Sequence, residues 1–356
     1  MSGTTWALVA AVVAAVVLLV ALVVRRRPVA APSAAGPQTR SGPWVPRIAF
    51  VVNPSKPDGD AVRSQLLAAC AERGLPDPLW LTTTVADPGG GQARAALKAG
   101  ADVVVAVGGD GTVRAVAEVM VGSGVPMGLV PTGTGNLLAR NVDVPVGDPA
   151  GALRAVVDGR DKTVDVGRLR VERRDAADWG PEEHMFVAIA GLGFDGALVA
   201  DTDDDLKARV GWVAYFLAGF RHLHGTRHQV RVTRDDGEPQ TAWVRSAMIG
   251  NCGRLPGGIV LLPDALLDDG LLDVAVVDTR GGLAGWAQLL GEVVLQGAGM
   301  RTALPAKIGR IDHAQARRIH LEVTGSATLQ VDGDLVGDVT ALTAWVGPGA
   351  LLLRVP

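Results

Sequence analysis

The 356-residue sequence contains only two cysteines, Cys70 and Cys252. Two thiols are too few for the disulfide framework of a small secreted domain, so both are expected to be reduced. Aromatic residues make up only 4% of the chain, and the net charge is −3. The tryptophans also show no ordered stacking pattern. A nucleic-acid partner is therefore not expected, because neither a basic surface nor a stacking platform is indicated.

The N-terminal region lacks charged side chains up to Arg25, and Trp6–Val24 consists only of Trp, Ala, Leu and Val. At 1.5 Å per residue, this run is long enough to cross a hydrocarbon core. Arg25–Arg27 follow it, which by the positive-inside rule predicts a single-pass membrane anchor at residues 1–27 with the rest of the chain in the cytosol. A cleaved signal peptide is the alternative, although its positive charge would precede the apolar run. Residues 28–46 are rich in Pro, Ala, Gly and Ser and are predicted to be a flexible linker.

Beyond the linker, the residue pattern changes once. Apolar runs alternate with helical patterns over residues 47–163, which predicts an α/β domain with a parallel sheet. Residues 164–356 contain many short alternating runs and a hairpin signal at Asp235-Asp-Gly237, which predicts a mainly antiparallel β domain. The best helical patterns there are Leu206–Arg221 and Ala284–Leu295.

Two glycine-rich loops follow predicted buried strands of the α/β domain. They are Gly108-Gly-Asp-Gly-Thr112 and Pro131-Thr-Gly-Thr-Gly-Asn136. Glycines let the backbone approach a polyphosphate, and the N–H groups of a following helix attract its charge. Because parallel strands end at one edge of a sheet, two such loops predict a nucleotide site, whereas one alone would fit a plain tight turn. Asp110 fits three roles: a helix cap, a ligand of a Mg²⁺-bound water, or a group that orients a hydroxyl.

In this order, the two loops resemble the diacylglycerol kinase catalytic domain, the branch of bacterial lipid kinases that includes sphingosine and ceramide kinases. The resemblance runs from about Arg47 to the C-terminus, and it implies an ATP- and Mg²⁺-dependent kinase acting on a diacylglycerol-like or sphingoid-like hydroxyl. The first loop is shared with NAD kinases and phosphofructokinase-like folds. Further segments also carry the resemblance: Asn53-Pro54, Gly191–Gly196, Lys207, Gly211–Tyr215, Leu266–Val274 and Val331–Asp334.

The resemblance implies roles for individual residues. Asp269 is expected to bind a structural Mg²⁺ with the backbone carbonyls of Leu266 and Leu271, an all-oxygen set that suits a hard cation. An ordinary hairpin turn at Asp268–Gly270 is the alternative. The residues expected to bind ATP are Asn53, Thr83, Thr84, Gly108, Gly109, Asp110, Gly111, Thr112, Arg114, Gly133, Thr134 and Asn136.

The chain departs from the family pattern at two places. The usual base is a Glu in an Asp-Gly-Glu turn, whereas this chain has Asp332-Gly-Asp334. Asp334, one methylene shorter, is expected to accept the lipid hydroxyl proton, and Asp332 is the second candidate. Arg114-Ala115 replaces the usual Asn-Glu, which leaves Arg114 either a phosphate ligand or a solvated helix residue. An NAD kinase-like enzyme and a catalytically inactive membrane-bound nucleotide or lipid sensor remain as alternatives.

The expected partner is a lipid substrate in a membrane. The basic run Arg221–His228 contains three histidines and is expected to be an exposed loop rather than a metal site. Together with Arg25–Arg27, it is a candidate for contact with anionic lipid headgroups. Gly193–Gly196 fits either the lining of the lipid cleft or a strand end. The sequence contains no signal for the oligomeric state.

Overall fold

A computed structural model describes residues 45–55, 59–172, 182–193, 227–256, 260–279 and 309–356. Within these ranges, the strands hydrogen-bond into one 14-stranded sheet, and helices accompany only its N-terminal part. The predicted helices Leu206–Arg221 and Ala284–Leu295 lie outside the described residues, as does most of the linker at residues 28–46.

The prediction of a single-pass membrane protein is corrected. Across the described ranges, every helix is too short or too polar to cross a bilayer. The apolar run Trp6–Val24, on which that prediction was based, lies outside those ranges.

The predicted parallel sheet of the N-terminal part is confirmed. Its strands are β1 (Ile48–Val52), β2 (Leu79–Thr82), β3 (Val103–Gly108) and β4 (Met127–Pro131), and they pair in the order β4-β3-β1-β2, all parallel. Every residue of β1, β3 and β4 is buried, as expected for strands covered on both faces. The helices are α1 (Gly59–Glu72), α2 (Gly90–Lys98), α3 (Asp110–Met120), α4 (Leu137–Asn141) and α5 (Pro149–Asp158).

The C-terminal part is built from antiparallel strands, as predicted. A hairpin joins β8 to β9 at Asp235, whose φ of 49° fits the Asp-Asp-Gly turn signal. Among its described residues, the strands are β5 (Arg160–Glu172), β6 (Glu182–Phe186), β7 (Ile189–Leu192), β8 (His228–Arg234), β9 (Gln240–Val244), β10 (Ser246–Gly250), β11 (Leu272–Thr279), β12 (Gly309–Ala316), β13 (Arg318–Val331) and β14 (Asp334–Val355).

Strand β14 connects the two parts. It pairs antiparallel with β13 and β5, and near its end Leu353 pairs in parallel with Met127 of β4. The predicted boundary between residues 163 and 164 falls inside β5, and the domain limits stay a prediction. Because β14 pairs with strands of both parts, one continuous sheet joins them.

Candidate active site

The first glycine-rich loop links β3 directly to α3. At Gly108, an added Cβ would lie 2.7 Å from the Cβ of Thr112, so only glycine fits there without a shift. Gly109 is the residue before the helix, and its carbonyl accepts the Val113 N–H at 3.0 Å. The N–H groups of a helix's first turn lack acceptors within the helix and carry its positive dipole end. The loop therefore has the geometry of an anion site.

The second loop is closed by Asn136. Its φ of 50° is in the left-handed region, which Asn tolerates better than most residues. The side-chain Oδ1 accepts the Gly133 N–H at 3.0 Å, and Nδ2 donates to the Gly133 carbonyl at 2.6 Å. Asn136 is buried, and Thr134 lies exposed between it and Gly133. The predicted ligand Asn136 thus shapes the loop with its side chain, while Thr134 is free to face a ligand.

The two loops touch each other. An added Cβ at Gly133 would lie 2.5 Å from the Cα of Gly109, and the Thr132 N–H donates to the Gly108 carbonyl at 3.0 Å. Their backbones therefore approach too closely for any side chain at Gly133. The predicted convergence of the loops at one sheet edge is what the structure shows.

Asp110 joins the loops through its carboxylate. It accepts the backbone N–H of Asn136 at 2.8 Å and of Leu137 at 2.7 Å. Burial raises the pKa of Asp110, and these two hydrogen bonds act in the opposite direction. Of the three roles considered for Asp110, the structure shows the cap, but on α4 rather than on its own helix.

The ends of β1 and β2 contribute three further residues that were predicted to bind ATP. Asn53 donates from Nδ2 to the Thr112 hydroxyl at 3.3 Å, which connects β1 to the first loop. Thr83 is buried and its N–H donates to the Val52 carbonyl at 2.8 Å, so it lies beside Asn53. Thr84 is exposed, and its hydroxyl accepts the Asp87 N–H at 3.1 Å within its own turn.

Asp332 is a buried structural residue of a tight hairpin. Asp332 and Gly333 have φ values of 48° and 94°, and the flanking Val331 and Asp334 pair, so they form a two-residue turn of the type that Asp-Gly favours. The Asp332 carboxylate accepts the N–H groups of Val187, Ala188 and Ile189 at 2.8, 2.9 and 2.9 Å. Burial raises its pKa to about 6, against the opposing effect of these hydrogen bonds.

Asp334 is the acidic side chain that reaches the first loop. Its Oδ2 would lie 3.7 Å from a Cβ added at Gly111 and forms an ion pair with the Arg114 guanidinium of α3. Sequence reasoning considered Arg114 and Asp334 separately and missed their contact. Of the two candidate bases, only Asp334 has an exposed carboxylate.

The predicted metal residues belong to another turn. The Asp269 carboxylate accepts the Leu271 N–H at 3.0 Å, and burial, followed by the charges of Asp165 and Asp268, raises its pKa. Leu266 is exposed. Within the described ranges, no group of three His, Cys, Asp or Glu side chains is arranged to hold a metal. In the described part of the chain, this turn contacts Lys162, through an ion pair with Asp268, and Asp165, through the Gly270 N–H, and both partners belong to β5.

Asp165 of β5 was missed by the sequence reasoning. It is buried, and its carboxylate accepts the N–H groups of Gly270 and Gly349 at 2.7 Å each. Asp165 therefore fixes the turn Asp268–Gly270, called the acidic turn below, to β5 and β14. The available signal was a single Asp between the apolar residues Val164 and Val166, a pattern that indicates a buried position. A buried carboxylate needs hydrogen-bond donors, so such an Asp marks a structural contact.

Several segments that carry the family resemblance are outside the described residues. These are Lys207, Gly211–Tyr215 and residues 194–196 of the Gly191–Gly196 segment. Of the basic run Arg221–His228, only Arg227 and His228 are described.

Two family models match the chain. The diacylglycerol kinase catalytic domain matches residues 47–169, and the YegS C-terminal NAD kinase beta sandwich-like domain matches residues 188–355. A protein named diacylglycerol kinase from Mycobacterium tuberculosis (strain ATCC 25618 / H37Rv) is 30% identical over 263 residues, covering 73% of this chain and 79% of that protein. A probable lipid kinase YegS-like from Pseudomonas aeruginosa (strain PAO1) is 33% identical over 268 residues, with 73% and 79% coverage. These matches confirm the family inferred from the loop motifs.

The fold has a counterpart among solved structures. The crystal structure of a putative diacylglycerol kinase from Bacillus anthracis str. Sterne superposes with a TM-score of 0.68 and 22% sequence identity. The superposition covers 89% of this chain and 98% of the Bacillus anthracis chain. The likeness supports the two-part architecture: an α/β N-terminal region and a β-rich C-terminal region.

Proposed function

This chain belongs to the family of diacylglycerol kinases and YegS-like lipid kinases, and we propose that it transfers the γ-phosphoryl group of ATP to a lipid hydroxyl. The chain is a kinase by that membership. ATP as the donor, Mg²⁺ and the identity of the lipid belong to the proposal. The observation that carries the proposal is the position of Asp334 beside Gly111, which places a carboxylate at the glycine-rich loop expected to bind phosphate.

The nucleotide phosphates are proposed to lie on the two touching glycine-rich loops. The N–H groups at the start of α3 face the edge where β3 and β4 end, and they stabilise negative charge there. Gly108 and Gly133 keep this edge free of side chains, so a polyphosphate can approach the backbone. Asn53 and the exposed Thr134 are proposed to donate hydrogen bonds from the rim.

Asp334 is proposed to act as the general base. As the lipid hydroxyl oxygen attacks the γ-phosphorus, its proton passes to the Asp334 carboxylate, and the bond to the departing ADP oxygen breaks. Asp332 is unsuited to this role because both of its oxygens already accept backbone N–H groups in a buried position. Its contacts instead fix the turn that carries Asp334.

The acidic turn is proposed to hold the structural Mg²⁺. The donor set of the Asp269 carboxylate with the Leu266 and Leu271 carbonyls consists of oxygens only, as Mg²⁺ prefers. Besides burial, the carboxylates of Asp165 and Asp268 raise the pKa of Asp269, so negative charge gathers at this turn, although Lys162 forms an ion pair with Asp268. When bound, the metal would neutralise this charge and stabilise the turn, without a part in the reaction.

The experiment is a labelling assay. The chain is incubated with γ-labelled ATP and Mg²⁺, and with a lipid extract or NAD as acceptor. Label in a lipid that mass spectrometry identifies as a phosphorylated alcohol is the expected result. Separate incubations with diacylglycerol, a sphingoid base, an isoprenoid alcohol and a glycolipid precursor then identify the substrate class. Label in NAD alone would overturn the proposal, and no label in any acceptor would favour the inactive sensor.

Contact of the basic run Arg221–His228 with anionic headgroups also remains a proposal. Of its two described residues, Arg227 lies over the Trp243 ring, with 5.9 Å between the guanidinium carbon and the ring centroid. Trp243 is exposed on β9 and Arg227 is half-buried, so an aromatic ring lies at the surface beside a cation. Binding to vesicles with and without anionic lipid tests it, and equal binding to both would contradict it.

A further inference from the structure

We propose that Arg114 is the positioning residue of this kinase, holding the Asp334 carboxylate at the first glycine-rich loop so that the shorter acid can act as the base. The inference rests on the proposed function, in which Asp334 is the base. Both residues stand where the related kinases usually have other residues. The structure shows that the two departures are in direct contact.

The Asp334 side chain needs a partner to hold one orientation. Its backbone is fixed, because Asp332 anchors the turn through three amides and Asp334 pairs with Val331. The side chain itself is 59% exposed. An exposed carboxylate samples several rotamers unless a contact selects one. For a general base, that freedom lowers the fraction of time spent within reach of the substrate proton.

Arg114 is suited to select that rotamer. Its side chain is only 18% exposed, although it carries a charge, and it projects from the first turns of α3 beside the loop. A guanidinium group is a planar fork of donors that matches a carboxylate better than an ammonium group does. Its charge also acts to lower the pKa of the buried Asp332, the other carboxylate of the hairpin.

The ion pair connects two parts of the fold that must cooperate. Arg114 belongs to the α/β part and Asp334 to the β-rich part, 220 residues later in the chain. The ion pair places Oδ2 of Asp334 close to Gly111, at the same helix terminus that is proposed to bind phosphate. Arg114 thus ties the position of the base to the position of the phosphate loop. A role for Arg114 as a phosphate ligand alone leaves the orientation of Asp334 unexplained.

The test is a double-mutant cycle with Arg114→Asn, Asp334→Glu and the double variant, measuring kcat and ATP affinity separately. Arg114→Asn is expected to lower kcat by about 10²-fold, the scale for a misplaced catalytic group, and to leave the Kd for ATP within about twofold. Adding Asp334→Glu to Arg114→Asn is expected to recover at least about tenfold in kcat, because the longer side chain reaches the substrate without a guide. Arg114→Lys, which keeps the charge but not the fork, should fall between wild type and Arg114→Asn.

Arg73→Asn is the matched control. Arg73 forms an ion pair with Asp158 at 2.8 Å, and the two side chains are 28% and 57% exposed, close to the values for Arg114 and Asp334. That pair joins the residue after the C-terminal end of α1 to the last residue of α5, away from the loops, so its loss should leave kcat unchanged. Thermal unfolding of every variant separates a folding defect from a catalytic one, and Arg114→Lys serves if Arg114→Asn does not fold.

Three results would overturn the inference. An active wild type whose kcat is unaffected by Arg114→Asn or Arg114→Lys would refute it while leaving the proposed function standing. A loss of ATP affinity in Arg114→Asn that Asp334→Glu does not relieve would also refute the inference, since that pattern is expected of a phosphate ligand. A wild type that phosphorylates no lipid would overturn the proposed function, and the positioning role with it.

Discussion

The carboxylate of Asp110, at the start of α3, accepts a 2.7 Å hydrogen bond from the backbone N–H of Leu137, at the start of α4. The Asn136 N–H is its second donor, so the side chain of Asp110 in the first loop holds the backbone of the second loop. Its removal should therefore separate the loops as well as uncap a helix. Replacing Asp110 is thus expected to cost stability in addition to ATP binding.

We expect Asp110→Ala to weaken ATP binding at least about tenfold and to lower the free energy of unfolding by about 1–2 kcal/mol, the range for a lost helix cap. Titration calorimetry and urea unfolding measure the two effects. Asp148→Ala is the control, because Asp148 caps α5 by accepting the Gly151 N–H at 2.8 Å, away from the loops. It should show a stability loss with unchanged ATP affinity. Normal ATP binding by Asp110→Ala would refute the prediction that Asp110 holds the two loops together for nucleotide binding.

Gly133→Ala tests the contact between the loops. The added methyl group would lie 2.5 Å from the Cα of Gly109 and 2.9 Å from the Asn136 Oδ1, so the loops must move apart. We expect ATP affinity to fall by about tenfold or more, since phosphate binding depends on both backbones. Gly59→Ala is the control: its methyl group would meet only the Pro54 carbonyl oxygen at 4.0 Å, and it should bind ATP normally. Equal affinities in the two variants would count against a shared phosphate site.

Asp334→Asn tests the base. The side chain is exposed, so stability should change little, whereas kcat should fall by about 10²–10⁴-fold with ATP affinity nearly unchanged. Asp334→Glu should retain activity. Steady-state kinetics with the identified lipid provides the measurement, and wild-type turnover by Asp334→Asn would end this assignment.

Asp332→Asn should behave differently. An amide has one acceptor oxygen for three N–H donors, and its own NH₂ group would face one of them in a buried position. We expect a loss of about 1–3 kcal/mol in the free energy of unfolding, the cost of leaving buried polar groups unsatisfied. Chemical denaturation measures it. A stable Asp332→Asn with abolished kcat would instead point to Asp332 as the base.

Asp269→Asn tests the acidic turn. If Asp269 holds Mg²⁺, the wild-type melting temperature should rise when Mg²⁺ replaces a chelator, because a ligand stabilises the state that binds it. Asp269→Asn should lose this rise. Asp268→Asn should keep it, because Asp268 is engaged in an ion pair with Lys162 at 3.1 Å. A melting temperature that ignores Mg²⁺ in the wild type would leave the turn an ordinary hairpin.

Local patterns predicted the α/β part well. Strand β1 begins and ends where its apolar run does, and each glycine-rich loop follows a strand that is buried throughout. Such strands are continuous apolar runs, and their ends are marked by glycine and proline, so both features can be read from neighbouring residues. The β-rich part was harder. Its short alternating runs indicate strands but not their limits, and β14 is a single strand of 22 residues that runs through Gly337, Pro348 and Gly349.

The amino-acid sequence by itself determined the family, the two glycine-rich loops and the turn at Asp332-Gly333, because each depends on residues a few positions apart. Only the tertiary structure decided which acid is available as a base. It buries Asp332 against the amides of Val187–Ile189 and leaves Asp334 exposed beside Arg114. These contacts join residues separated by more than 140 positions, through pairings of β14, β13 and β7. Such pairings depend on the register of the whole sheet, which no short stretch of sequence encodes.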